Sequence, residues 1–70
     1  NLIEIHPDYQ NRGLGSTIIL DILTEAQQRS LPVLLSVLKA NEDAYRLYER
    51  LGFVVIEERV ERYMMQKVPS

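Results

Sequence analysis

A four-turn amphipathic helix pattern lies between two short apolar runs near the start of the chain, and this arrangement is compatible with few folds. Leu2, Ile3 and Ile5 form the first run, and residues 33–37 form the second. From Gly13 onward, apolar residues recur at the spacing of one helix face: Leu14, Ile18, Ile19, Ile22, Leu23 and Ala26. Strand, helix and strand in this order predict two parallel strands joined by a right-handed crossover. The uninterrupted second run predicts a strand buried on both faces.

The second half of the chain predicts another helix and two more strands. Asn41 suits a helix N-cap, and Gly52 suits the left-handed residue just past the end of that helix. Residues 53–56 predict a third strand and residues 60–68 a fourth. The charged residues 57–59 separate these two runs, so we expect an antiparallel pair. The predicted fold class is α/β.

Composition limits the class of protein further. The chain has 70 residues, a net charge of −2 and no cysteine, so it holds one small domain without disulfides or thiolate metal sites. We expect no metal and no nucleic-acid or membrane partner, because the chain lacks excess positive charge and its apolar runs are too short to span a bilayer. The N-terminus does not resemble a signal peptide, and a cytoplasmic location is expected.

The stretch HPDYQNRGLGST, residues 6–17, predicts an anion site. Gly13 and Gly15 let the main chain approach a ligand closely, and the helix that follows directs unpaired N–H groups to the same place. No lysine follows the glycines, which excludes a P-loop. The third glycine and the distant acidic residue of a dinucleotide fingerprint are also absent. A diphosphate is the expected anion, and a plain glycine turn is the alternative.

Two motifs resemble those of the GCN5-related N-acetyltransferases. Gln10, Gly13 and Gly15 match the first motif of that family, Q/R-x-x-G-x-G/A. The stretch NEDAYRLYERLGF, residues 41–53, is similar to the second motif, an asparagine, an alanine, a tyrosine and a Gly-Phe pair at fixed spacing. The order and separation of the two motifs also agree with the family, and the resemblance covers nearly the whole chain.

The resemblance implies a fold and a cofactor. Residues 1–70 would be the C-terminal half of the acyltransferase domain, with two parallel strands, a second helix and an antiparallel strand pair. Acetyl-CoA would be the cofactor, its pyrophosphate wrapped by the backbone N–H groups of one segment: Gln10, Asn11, Arg12, Gly13, Leu14, Gly15 and Ser16. The strand ending at Ile5 and His6 would splay from its neighbour, and the pantetheine arm of the cofactor would fill the gap and bond to exposed backbone groups there. Ile5 would face the thioester carbonyl. Asn41 would contact the cofactor arm.

The resemblance also implies acetyl transfer to a small-molecule or peptide amine by direct attack. Tyr48 matches the tyrosine that protonates the departing thiolate, and a phenol suits this step because it is a neutral proton donor. A core aromatic is the alternative role for Tyr48. Ser36 occupies the position of the usual glutamate base, which leaves Glu4 or a water for that task. A cofactor-binding remnant without activity and a protein-interaction module are the alternative functions.

The strands and helices that precede the first motif in the family have no counterpart in this sequence. Without them the first strand, residues 2–5, would have a bare edge. We therefore expect a homodimer, or a complex with a second chain that supplies the missing half.

Overall fold

The computed structural model describes residues 1–6 and 15–70. In chain order, the described elements are β1 (Ile3–Ile5), α1 (Gly15–Arg29), β2 (Val33–Leu38), α2 (Glu42–Arg50), β3 (Val54–Glu58) and β4 (Arg62–Lys67). The α/β class and the order of the elements are those expected from the sequence. The predicted loop at residues 7–12 lies outside the described residues.

The four strands form one mixed sheet in the order β1, β2, β4, β3. β1 is parallel to β2, with Ile3 opposite Val33 and Ile5 opposite Leu35. β4 is antiparallel to both β2 and β3. The predicted parallel crossover and the predicted antiparallel pair are therefore both confirmed, and the last strand of the chain lies inside the sheet.

Helix α1 buries a narrow stripe and ends in a local capping arrangement. Ile19, Leu23 and Ala26 lie on one face and are at most 9% exposed. Ile18 was expected on this face but is 46% exposed. It is adjacent to Ile19 in the helix, so its side chain projects to one side of the buried face. At the other end, Ser30 adopts a left-handed φ of 56°, and the Leu31 N–H donates to the Ala26 carbonyl at 2.9 Å. This 6→1 bond pairs an otherwise orphaned carbonyl and ends the helix before Pro32.

The buried side chains of the sheet all lie on one face. Val33, Leu35 and Val37 of β2 are buried, whereas the alternate residues between them are only half-buried. Met65 of β4 lies opposite Leu35 and is fully buried. Both helices pack on this face, which we call the helix face. The prediction that β2 is buried on both faces is wrong, because no described element covers the opposite, open face.

β3 is an exposed edge strand, and its bounds differ from the prediction. All five of its residues are exposed, and it includes Glu57 and Glu58, which were expected to form the turn. An edge strand covered by no helix keeps charged side chains in water on either face. Phe53, which was expected in the strand, lies just before it and is 1% exposed.

Gly52 forms the predicted end of α2. Its φ is +102°, a left-handed conformation that favours glycine. Its N–H donates to the Glu49 carbonyl, and the Phe53 N–H donates to the Tyr48 carbonyl, each at 3.0 Å. These two bonds turn the chain sharply and direct Phe53 into the core.

Candidate functional site

The carboxyl end of β1 lies beside a small cavity. β1 ends at Ile5, opposite Leu35, while β2 continues to Leu38. Within the described ranges, no strand pairs with residues 36–38 on the β1 side. A cavity of about 50 Å³ lies here, and Ile5, His6 and Ser36 contribute to its lining. Within the described residues β2 therefore extends past β1, which leaves a gap beside Ile5 and His6. The expected splaying of the two strands stays a prediction.

Three polar side chains of the open face meet at this cavity. His6 Nε2 lies 3.8 Å from Glu4 Oε1, and both side chains are exposed. Ser36 Oγ accepts a hydrogen bond from Arg62 Nη1 at 3.0 Å. Because its oxygen accepts this bond from a cation, the Ser36 hydroxyl is not a base at neutral pH. The contact with Arg62 spans 26 residues and has no local sequence signal.

The start of α1 lies in the expected anion-binding segment. α1 begins at Gly15 and Ser16, and the first N–H groups of an α-helix have no intrahelical acceptor. No acidic residue lies in its first turn, so no carboxylate offsets the positive end of the helix dipole. The remaining residues of this prediction lie outside the described residues: Gln10, Asn11, Arg12, Gly13 and Leu14.

Asn41 is the N-cap of α2, as the sequence predicted. Its side-chain Oδ1 accepts a hydrogen bond from the Ala44 N–H at 3.2 Å. Glu42 and Asp43 occupy the first turn, where the helix dipole favours negative charge. The cap is a sufficient reason for an asparagine at this position, whether or not a ligand binds there. Its expected contact with the cofactor stays a prediction.

Replacing Asn41 tests the capping role. Asn41→Ala removes the cap, and we expect the free energy of unfolding to fall by about 1 kcal/mol. Asn41→Ser keeps a capping oxygen, so its stability should remain within a few tenths of a kcal/mol of the wild type. Urea unfolding measures both values. An alanine variant as stable as the wild type would show that the cap contributes nothing.

Tyr48 lies on the helix face, in the same buried cluster as Leu35 and Val37. Its ring is 2% exposed and meets Phe53 edge-on, with 5.8 Å between the ring centroids. The core role considered for Tyr48 is therefore real. A catalytic role would depend on the phenol hydroxyl alone, because the ring is already committed to packing.

A larger cavity, of about 360 Å³, lies between α2 and β3. Tyr45, Phe53 and Val55 are among its lining residues. The rings of Tyr45 and Tyr63 of β4 are in contact in a tilted arrangement, with 5.2 Å between their centroids and 45° between their planes. No local sequence signal predicts this aromatic pair, since the two tyrosines lie 18 residues apart on different elements.

Two side chains with shifted pKa values, Glu57 and Arg59, lie away from these cavities, at the hairpin between β3 and β4. A side-chain hydrogen bond from Arg59 lowers the pKa of Glu57, and the same contact raises the pKa of Arg59. Both side chains are more than half exposed, so this contact has little effect on stability. In the part of the chain that the structure describes, no group of three or more His, Cys, Asp or Glu side chains can hold a metal ion. No helix there is long and apolar enough to cross a membrane.

The family and the relatives found by comparison with known proteins are acetyltransferases or acyltransferases. The model of the Acetyltransferase (GNAT) family matches residues 2–53. The [ribosomal protein bS18]-alanine N-acetyltransferase of Escherichia coli K12 is 40% identical over 52 residues, 73% of this chain and 35% of that protein. The mycothiol acetyltransferase of Thermobifida fusca is 39% identical over 70 residues, 99% of this chain and 21% of that protein. No solved structure matches with significance.

A third relative is the L-amino acid N-acyltransferase of E. coli K12, 32% identical over 54 residues, which are 76% of this chain and 31% of that protein. The chain thus spans about a fifth to a third of the length of these curated relatives. The family match covers both motifs and the crossover between them. Together with the mixed four-stranded sheet and its two helices, it shows that the chain belongs to the GNAT acetyltransferase family and has part of the GNAT fold.

Proposed function

We propose that this chain binds acetyl-CoA and carries part of the active site that transfers the acetyl group to an amine by direct attack. The observation that supports this best is the position of two expected features on one βαβ unit. α1 begins at Gly15, inside the glycine segment, and within the described residues β2 continues past the end of β1 and leaves the gap there. In a parallel crossover, both features lie at the carboxyl edge of the sheet, where α/β folds bind their ligands.

The pyrophosphate would bind at the first of these features. Backbone N–H groups at the N-terminus of a four-turn helix offer hydrogen bonds and a positive dipole end to an anion. Gly13 and Gly15 carry no Cβ, so a phosphate oxygen can approach the main chain closely. Coenzyme A carries two linked phosphates at one end of its pantetheine arm, and the N-terminus of α1 is complementary to such a group.

The pantetheine arm and the thioester would bind at the second feature. Backbone groups of β2 beyond Leu35 have no partner on the β1 side within the described residues. An extended amide-bearing chain can pair with such groups as a short strand does. This arrangement would bring the thioester to Ile5 at the cavity, on the edge of β2 that faces the gap.

The acceptor class is an amine. One relative is named for an alanine of ribosomal protein bS18, and another for L-amino acids. The only nitrogen of alanine that is nucleophilic enough for acyl transfer is a free α-amino group. We therefore propose an α-amino group as the acceptor, on a peptide or a free amino acid.

A thermal-shift titration with coenzyme A tests the cofactor assignment. If the diphosphate site works, coenzyme A at 100 times its dissociation constant should stabilise the protein by about 2.7 kcal/mol. Pantetheine lacks the diphosphate and is the matched ligand control, so its stabilisation should be much smaller. Equal effects of the two ligands, or no effect of either, would contradict the proposal.

Acetyl transfer is then measured as thiol release from acetyl-CoA with an alanine-initiated peptide and a panel of L-amino acids. Amine-dependent release supports the transferase. Stabilisation by coenzyme A without thiol release with any amine would favour the cofactor-binding remnant. The absence of both stabilisation and thiol release would favour the interaction module.

Light scattering on the same samples tests the expected homodimer or complex with a second chain. A stable monomer would contradict that expectation.

A further inference from the structure

The general base is the catalytic group that the described residues do not obviously supply. Ser36 stands at the expected base position, and its hydroxyl accepts a hydrogen bond from the Arg62 guanidinium. A guanidinium donor beside an alcohol disfavours protonation of its oxygen. The proton of an acceptor ammonium therefore needs another destination at this cavity.

His6 and Glu4 offer that destination. They are two residues apart on an extended segment, so both side chains lie on the open face with Ser36. Both contribute to the lining of the 50 Å³ cavity, together with Ile5. This volume has room for more than one water-sized group, which is enough for an amino group.

The ion-pair geometry suits proton uptake. His6 Nε2 lies 3.8 Å from Glu4 Oε1, so the carboxylate stands on the Nε2 side of the ring. In the neutral imidazole with its proton on Nε2, the other ring nitrogen, Nδ1, is the proton acceptor. Imidazole exchanges protons near neutral pH, which suits it to general-base catalysis.

The two faces of the sheet separate the acid from the base. His6 and Glu4 lie on the open face at the end of β1, whereas Tyr48 lies in the core cluster on the helix face. An amine that approaches from the open face would meet the base first. The leaving sulfur would depart toward the helix face, where the proposed acid lies.

We infer that His6, paired with Glu4, is the general base that takes a proton from the acceptor ammonium; this inference rests on the proposed acetyl transfer. His6 removes one proton from R–NH₃⁺ and passes it to solvent. The amine nitrogen attacks the thioester carbonyl carbon, the C–N bond forms, and the C–S bond breaks. Tyr48 protonates the thiolate, the nitrogen releases its second proton to solvent, and Tyr48 regains a proton after the products leave. The products are the acetylated amine, coenzyme A thiol and one proton.

Variants of the full-length protein test this role through the pH dependence of kcat. With acetyl-CoA and an alanine-initiated peptide, His6→Gln should reduce kcat at pH 7 on the order of 100-fold. The deficit should shrink as pH rises, because the amine then loses its proton without help. The KM for acetyl-CoA should not change. Glu4→Gln should show a smaller deficit of the same pH dependence.

The controls are matched to these changes. Glu25 forms a comparable exposed ion pair with Arg29 on α1 at 3.2 Å, so Glu25→Gln is the matched charge deletion and should leave kcat unchanged. The His6 side chain is 84% exposed, so His6→Gln should melt at the wild-type temperature. The other charged group near the cavity among the described residues is Arg62 of β4, through Ser36. A guanidinium group is not deprotonated in proteins, so an arginine does not shape the pH profile.

The outcomes distinguish this inference from the proposed function. If the wild-type protein releases thiol but His6→Gln is equally active at every pH, the base assignment is overturned and the transferase stands. A deficit of constant size across the pH range would also overturn it, because that pattern indicates a structural role. Absence of any amine-dependent release by the wild type would overturn the proposed function and this inference together.

Discussion

The Tyr48→Phe variant is expected to lose acetyl transfer while keeping its fold. Removing the hydroxyl deletes the proposed proton donor to the thiolate, and general acid catalysis contributes about 100-fold or more to rate. We therefore expect kcat to fall at least ~100-fold, which corresponds to about 2.7 kcal/mol of transition-state stabilisation. The phenylalanine ring keeps the edge-on contact with Phe53, so the core should stay packed.

The matched control for this prediction is Tyr63→Phe. Tyr63 on β4 is also partly buried against the core on the helix face, and its change deletes the same atom. It should retain wild-type kcat, since Tyr63 has no proposed part in the chemistry. Thiol release and coenzyme A binding are measured for both variants. If Tyr48→Phe keeps the wild-type kcat, Tyr48 has only the alternative role, that of a core aromatic.

Phe53→Ala is expected to cost most of the stability of the domain. The Phe53 side chain is 1% exposed and packs against Tyr48. Removing a buried phenylalanine ring leaves a cavity and typically costs about 3–5 kcal/mol. A chain of this size has a total stability of roughly 4 to 10 kcal/mol, so this loss removes a large part of it. Urea unfolding followed by circular dichroism measures this loss.

Val54→Ala is the adjacent control. Val54 is the next residue in the chain but is 60% exposed on the edge strand β3, so its truncation should change stability by no more than about 0.5 kcal/mol. Similar losses for the two variants would mean that Phe53 is not a core residue. Since Phe53 contacts Tyr48, Phe53→Ala should also weaken acetyl transfer in the molecules that remain folded.

Much of the fold follows from local sequence signals. The helical spacing of Ile19, Leu23 and Ala26 predicted the buried stripe of α1, and Asn41 and Gly52 predicted both ends of α2. These signals act over a few residues, because a cap or a left-handed turn depends only on adjacent backbone groups. They were reliable for that reason.

In the candidate site, too, the sequence predicted a local feature but not a contact between distant residues. The Asn41 cap, which lies on one element, agrees with the sequence prediction, whereas the expected splaying of β1 from β2 stays a prediction. The contact of Arg62 with Ser36 joins two strands and was not foreseen. The cofactor contacts expected of Gly13, Gly15 and Asn41 stay predictions until coenzyme A binding is measured.

The sequence alone determined the elements, their order, the family motifs and the parallel crossover. Only the tertiary structure decided that β4 lies between β2 and β3, that both helices pack on one face, and that Val54 is exposed next to the buried Phe53. The physical reason is that an apolar run carries no information about which of its faces will be covered. That depends on elements distant in the chain, whose packing against the sheet determines which side chains leave water.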